Sequence, residues 1–159
     1  MTTETDRLDA ALLVSRFFRS LDERRLDEEW ARAFFTDDVR GESPIGAGRG
    51  RAFLARHTAE ALGRYARTQH IATDVVSETA PDGATATVSW NALMTHVHHD
   101  RTVQDRGPGA DPLFTVGGRY RAEVRRTPDG WRFGHLAVEA VWTRGEPPVL
   151  PPGVGQPPA

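Results

Sequence analysis

One stretch constrains the fold more than any other. Residues 84 to 99, "ATATVSWNALMTHVHH", alternate without a break. Ala84, Ala86, Val88, Trp90, Ala92, Met94, His96 and His98 fall on one side, and Thr85, Thr87, Ser89, Asn91 and Thr95 on the other. A period of 2 is the period of a β-strand. Such a strand needs partners, and its apolar face needs a cover. "PDG" at 81–83 marks a turn before it, against the short β-branched run "TQHIATDVVSE". "PLFTVGGRYRAEVRR", the turn "TPDG" and "WRFGHLAVEAVW" supply two further strands, with Phe114, Val116, Tyr120, Ala122 and Val124 in phase.

The cover comes from the first third of the chain. Leu8, Leu12, Phe18 and their neighbours recur at 3- and 4-residue steps and predict a helix from about Asp6 to Leu21, capped by Thr5 or Asp6. A shorter helix is expected from Asp27 to Phe35, and a third from Arg51 to Tyr65. "GESPIGAGRG" between them reads as a loop, as does the polar "DRTVQDRGPGAD". Helices segregated from strands give an α+β class. The expected architecture is a cone-shaped barrel, in which a curved, mostly antiparallel sheet of about four strands packs against three N-terminal helices. Residues 1–146 form one domain, and the Pro-rich residues 147–159 an extended or disordered tail.

Composition removes several functions. There is no cysteine, hence no thiolate zinc site, disulfide or cysteine nucleophile. A net charge of -2 gives no footprint for nucleic acid. No leader-like segment opens the chain and no apolar run is long enough to span a membrane, so a cytoplasmic protein is expected.

Chemistry concentrates in "MTHVHHD", which holds three of the six histidines. Strand parity turns His96 inward. His98 and His99, nearer the strand end, read as solvated. A metal reading would join His96 and His98 to Asp22 or His70, but no spacing motif requires it. Trp90, Met94, Tyr120 and Trp142 offer planar or apolar walls for a substrate, and equally could be plain core. Asp74 and Glu139 are minor candidates for a general base. His57 and His135 read as structural or solvated. "VGGRY" at 116–120 suggests a bulge that bends the sheet.

With "SLDERRLDEEWARAFFTDDV", "TQHIATDVV", "THVHHD", "LFTVGGRYRAEVRRTPDGWRF" and "VWTRGEP" in place, the chain resembles the nuclear transport factor 2-like superfamily. Within it, the resemblance is to the SnoaL-like polyketide cyclase and scytalone dehydratase group. That resemblance implies a pocket site of one aspartate and two histidines, here Asp22, His70 and His96. It implies a His70 that takes and returns protons and a His96 oriented by Asp22. The implied function is that of a cofactor-independent dehydratase, cyclase or isomerase. Its substrate would be a small carbonyl-bearing, polyketide-like or aromatic molecule, and no metal would be required. A homodimer formed through the outer sheet face is also implied. The alternative is a non-catalytic ligand-binding or dimerisation module of the same fold. The tyrosines that hold water in scytalone dehydratases have no counterpart at the matching positions, since Leu21 precedes Asp22 and the chain's two tyrosines are Tyr65 and Tyr120.

Overall fold

The computed structural model describes residues 3–154. Four helices and six strands run in the order α1 (Glu4–Glu23), α2 (Glu28–Phe34), β1 (Phe35–Ser43), β2 (Gly46–Arg49), α3 (Arg51–Gly63), β3 (Tyr65–Thr79), β4 (Thr85–His98), α4 (Asp100–Arg106), β5 (Leu113–Thr127) and β6 (Gly130–Gly145). The strands form one curved sheet, ordered β2-β1-β6-β5-β4-β3. All neighbours are antiparallel except β1 and β6, which run parallel. The expected α+β cone is therefore present.

Local chemistry sets the helix ends. Thr3, rather than Thr5 or Asp6, caps α1, and its hydroxyl and the Asp6 carboxylate satisfy each other's backbone N–H in a capping box. Asp27 caps α2 by accepting from Trp30 N–H at 2.9 Å. The helix α3 stops at Gly63, and Tyr65 opens β3 instead of closing the helix.

Two segments read as loops are ordered elements. The chain from Thr36 into "GESPIGAGRG" forms β1 and β2. Its glycines are there for close approach. A Cβ on Gly41 would lie 2.6 Å from Leu54 Cδ1, and one on Gly48 would lie 2.4 Å from the Phe53 ring. Strand glycines thus let α3 settle directly onto the sheet. The other segment is α4, a short helix that buries none of its residues and so leaves no apolar stripe in the sequence.

The core lies between α1 and the concave sheet face. Phe17 meets Phe34, Phe35 and Phe133 edge-on, with centroids 5.1–5.8 Å apart. The alternating face of β4 is buried at every even position from Ala86 to His98. The register between β5 and β6 shifts at Gly117–Gly118, the place read as a bulge, with the additional residue carried by β6. This shift changes which β6 side chains face inward beyond Ala140. Among the described residues, no helix is long and apolar enough to cross a membrane.

Candidate active site

Curling the sheet over α1 and α3 leaves a cavity of about 340 Å³, near the low end for a small-molecule site. Its wall is mostly apolar. The sheet supplies Met94, Tyr120, Leu136 and Val138, α1 supplies Phe17 and Leu21, and α3 supplies Phe53, Leu54 and Leu62. The start of the C-terminal tail also contributes, through Pro147, Pro148 and Leu150. That segment is tied down from the other end of the sheet. Arg106 of α4 donates to the Pro147 carbonyl at 2.7 Å and pairs with the Glu146 carboxylate at 3.2 Å. His98 Nε2 lies 2.8 Å from the Glu146 carbonyl.

Three polar side chains stand behind or in this wall. Asp22 lies in the last turn of α1, the end of the helix dipole that disfavours an anion. Three donors converge on it to offset that. Thr68 Oγ1 donates to Oδ1 at 2.9 Å, the His70 backbone N–H to Oδ2 at 2.9 Å, and His70 Nδ1 to Oδ1 at 2.7 Å. Burial by itself would raise the Asp22 pKa, but the His70 bonds and charge, with Thr68, outweigh it and hold the carboxyl below the usual value. The residues Thr68 and His70 are two steps apart on β3, so one strand face delivers both donors. The His70 side chain is only 3 % exposed. With its Nδ1 proton on Asp22, its Nε2 is the free acceptor.

His96 behaves differently. It points inward as its parity requires and lines the cavity. Its Nδ1 lies 2.9 Å from the Phe114 carbonyl, an acceptor only, so Nδ1 carries the proton. Burial chiefly, helped by the charges of His70 and His98 and opposed by the Phe114 bond and Asp22, lowers its pKa to about 4. His96 is therefore neutral at pH 7. The rings of His70 and His96 meet edge-on with centroids 5.9 Å apart. The structure thus gathers Asp22, His70 and His96, but it is His70 that Asp22 orients. The expected pairing of Asp22 with His96 is corrected: His70 on β3 is two residues from Thr68 and adjoins the end of α1, while the His96 ring is already held by β5.

Other expectations fare unevenly. Met94 and Tyr120 line the cavity. Trp90 does not; it is 1 % exposed and stacks beneath Tyr120 at 4.8 Å. Trp142 is 50 % exposed and lies over Gly117 on the outer face, put there by the β5–β6 register shift. His98 is not solvated but 1 % exposed, held under the tail segment. His99 is exposed and reaches the Gly63 carbonyl. Among the described residues, no three His, Asp or Glu side chains gather as metal ligands. Asp74 bonds Thr73 and Asn91 at the exposed surface, where β3 kinks with a positive φ of 55°. Glu139 is exposed, and His135 pairs with Glu42.

Two wall residues lie outside the expected pocket set: Tyr65, and His57, which the sequence suggests is structural or solvated. Tyr65 lies 4.5 Å from His96, centroid to centroid, and burial pushes its phenol up to about 12, so it holds its proton. His57 stacks on Phe53 at 5.3 Å and faces Ser43 Oγ at 3.4 Å. For Tyr65 a signal existed. Counting it as the first residue of β3, rather than the last of α3, would have set it opposite His98.

Residues 3–137 match the SnoaL-like domain family. The chain belongs to that family. Its fold is that of the nuclear transport factor 2-like superfamily. The Kfla4162 protein of Kribbella flavida superposes with a TM-score of 0.79 at 21% identity, covering 89% of this chain and 94% of that one. A candidate scytalone dehydratase from Novosphingobium aromaticivorans gives 0.74 at 17%, with 94% of each chain covered. The hexachlorocyclohexane dehydrochlorinase LinA-type3 of Novosphingobium barchaimii gives 0.69 at 16%, covering 93% of this SnoaL-like chain and 96% of its own. At these identities the likeness establishes the fold. No curated protein sequence matches this one.

Proposed function

We propose that this SnoaL-like protein is an acid/base enzyme of the lyase or isomerase type that needs no cofactor. The substrate would be a small, largely apolar, carbonyl-bearing molecule, polyketide-like or aromatic. The observation that carries the reading is the 2.7 Å Asp22–His70 pair set against an apolar cavity beside a neutral imidazole. In such a pair the carboxylate fixes the tautomer and stabilises the imidazolium that forms. His70 Nε2 takes a proton from the carbon beside the carbonyl. The C–H electrons become the new C=C bond, the C–O bond to a β-hydroxyl breaks, and His70 returns its proton to the leaving oxygen, releasing water. His96 Nε2, unprotonated, accepts from a substrate hydroxyl and orients it. Tyr65, still protonated, can donate toward the carbonyl oxygen. The low polarity of the wall strengthens each of these interactions. Elimination is also the chemistry named for the dehydrochlorinase and for the candidate dehydratase that share this fold.

A screen of β-hydroxy bicyclic ketones, followed by ultraviolet absorbance of the conjugated product, tests the proposal. Turnover by the natural chain that disappears in both His70→Ala and His96→Ala, with circular dichroism unchanged, supports it. Turnover that survives both substitutions ends it. A ligand-binding module is the second reading, favoured by one observation: the Tyr120 hydroxyl is spent on the Met94 sulfur, 3.6 Å away. Tight binding of an apolar ketone with no turnover would select it. Homodimerisation would use the outer face, where Ile71, Leu93, Val141 and Trp142 are 40–58 % exposed.

A further inference from the structure

Among the described residues, one formal charge in the cavity wall has no protein counter-ion. The helix α3 turns Phe53, Leu54, His57, Ala61 and Leu62 toward the cavity at 3- and 4-residue steps. Arg64, seven residues after His57, continues that stripe and lines the cavity half-buried. Glu42 at this wall is engaged with His135, and the Asp22 carboxylate behind it with His70. Arg106, behind the tail segment, is paired with Glu146. Among the described residues, the Arg64 guanidinium has no hydrogen bond and no ion pair. Its charge nevertheless reaches two lining rings. It adds to burial in disfavouring protonation of His57, and it opposes the effect of burial on Tyr65.

A cation at the C-terminal end of α3 is favourable for the helix dipole. That accounts for a basic residue there, but not for its place in the wall of an apolar cavity. A guanidinium is a planar fork of donors that matches a carboxylate in two parallel bonds. Arg64 also directly precedes Tyr65, whose ring touches His96. An anionic group held by Arg64 would sit beside His57 and Tyr65, in the wall that His96 shares.

We propose that Arg64 is the counter-ion for a carboxylate on the substrate, so that the cavity takes an apolar, carbonyl-bearing acid in preference to a neutral polycycle. This rests on the cavity being the substrate site, but not on any turnover there. The test is a binding measurement on the full chain with two probes of nearly equal shape, naphthalene-2-carboxylate and naphthalene-2-carboxamide. The natural protein is expected to bind the carboxylate about tenfold more tightly at low salt. Arg64→Gln should bind both alike, with amide affinity unchanged, while Arg64→Lys keeps most of the preference. His70→Asn should keep it too, which separates this proposal from the acid/base reading. Equal affinity for the two probes in the natural protein, no binding of the carboxylate, or a preference that survives Arg64→Gln would overturn it. A preference lost in His70→Asn would also do so, because the imidazole would then be the counter-ion. A dipole role alone would lower the melting temperature of Arg64→Gln and leave the probe ratio untouched.

Discussion

His96 should make this protein lose stability on mild acidification, and the loss can be sized. Burial lowers its pKa from the ordinary 6.5 to about 4 in the folded chain. Above pH 6.5 the ring is neutral whether folded or not, so the group contributes no pH dependence. Between pH 6.5 and 4 the unfolded chain binds a proton at this position and the folded chain does not. Stability therefore falls as pH falls through that window, and levels off below it. One full proton is worth about 1.4 kcal/mol per pH unit, so the window amounts to about 3 kcal/mol. That is a large share of the roughly 5–15 kcal/mol typical of a domain. The comparison is His96→Asn, which cannot titrate but can still donate an amide hydrogen to the Phe114 carbonyl. Urea unfolding at half-unit steps from pH 7.5 to 4 gives the difference curve. Any constant cost of the substitution cancels, as does the similar, burial-driven lowering at His57. The natural protein should lose about 3 kcal/mol more than the variant across the window. Parallel curves would show that His96 is not the source of the pH dependence, as would a His96 imidazole titrating near pH 6.5 by nuclear magnetic resonance.

Asp22→Asn should lower kcat by roughly 10²–10⁴-fold on any substrate the protein turns over, because an imidazolium formed on His70 during turnover would lose its carboxylate; a kcat within threefold would contradict the proposed role. Gly48→Ala should destabilise by about 1–3 kcal/mol, since the new methyl would sit 2.4 Å from the Phe53 ring, and thermal unfolding measures it. Arg106→Ala removes the bonds to Pro147 and Glu146. It should speed proteolytic cleavage after Gly145 and weaken binding of apolar ligands severalfold, with only a small change in melting temperature.

The residues most legible in sequence were those whose local pattern and tertiary role coincide. The even positions of β4 are buried because a strand covered on one face must alternate, so His96 could be turned inward from parity alone. His98 shares that parity and is buried too. Its burial is not legible locally, because the segment that covers it lies 48 residues away and leads into the Pro-rich tail. Strand β1 was illegible for a similar reason. Its ladder runs to β6, nearly a hundred residues later, and its glycines report the approach of α3 rather than a turn. Trp142 was misplaced by a single additional residue in β6, which reverses the face. Asp22 and His70 carried no periodic signal. They came from family resemblance, and the way the two pair depends on α1 ending beside β3.

In the proposed chemistry His70, oriented by Asp22, moves protons to and from a carbon next to a carbonyl inside the cavity. Deuterium exchange at C1 and C3 of 2-tetralone, followed by proton nuclear magnetic resonance in heavy water, reads that step without knowledge of the natural substrate. Exchange above the buffer rate is expected with the natural protein, and exchange at the buffer rate with His70→Ala. Exchange that is equally fast with His70→Ala, in a protein that binds the ketone, would contradict that chemistry.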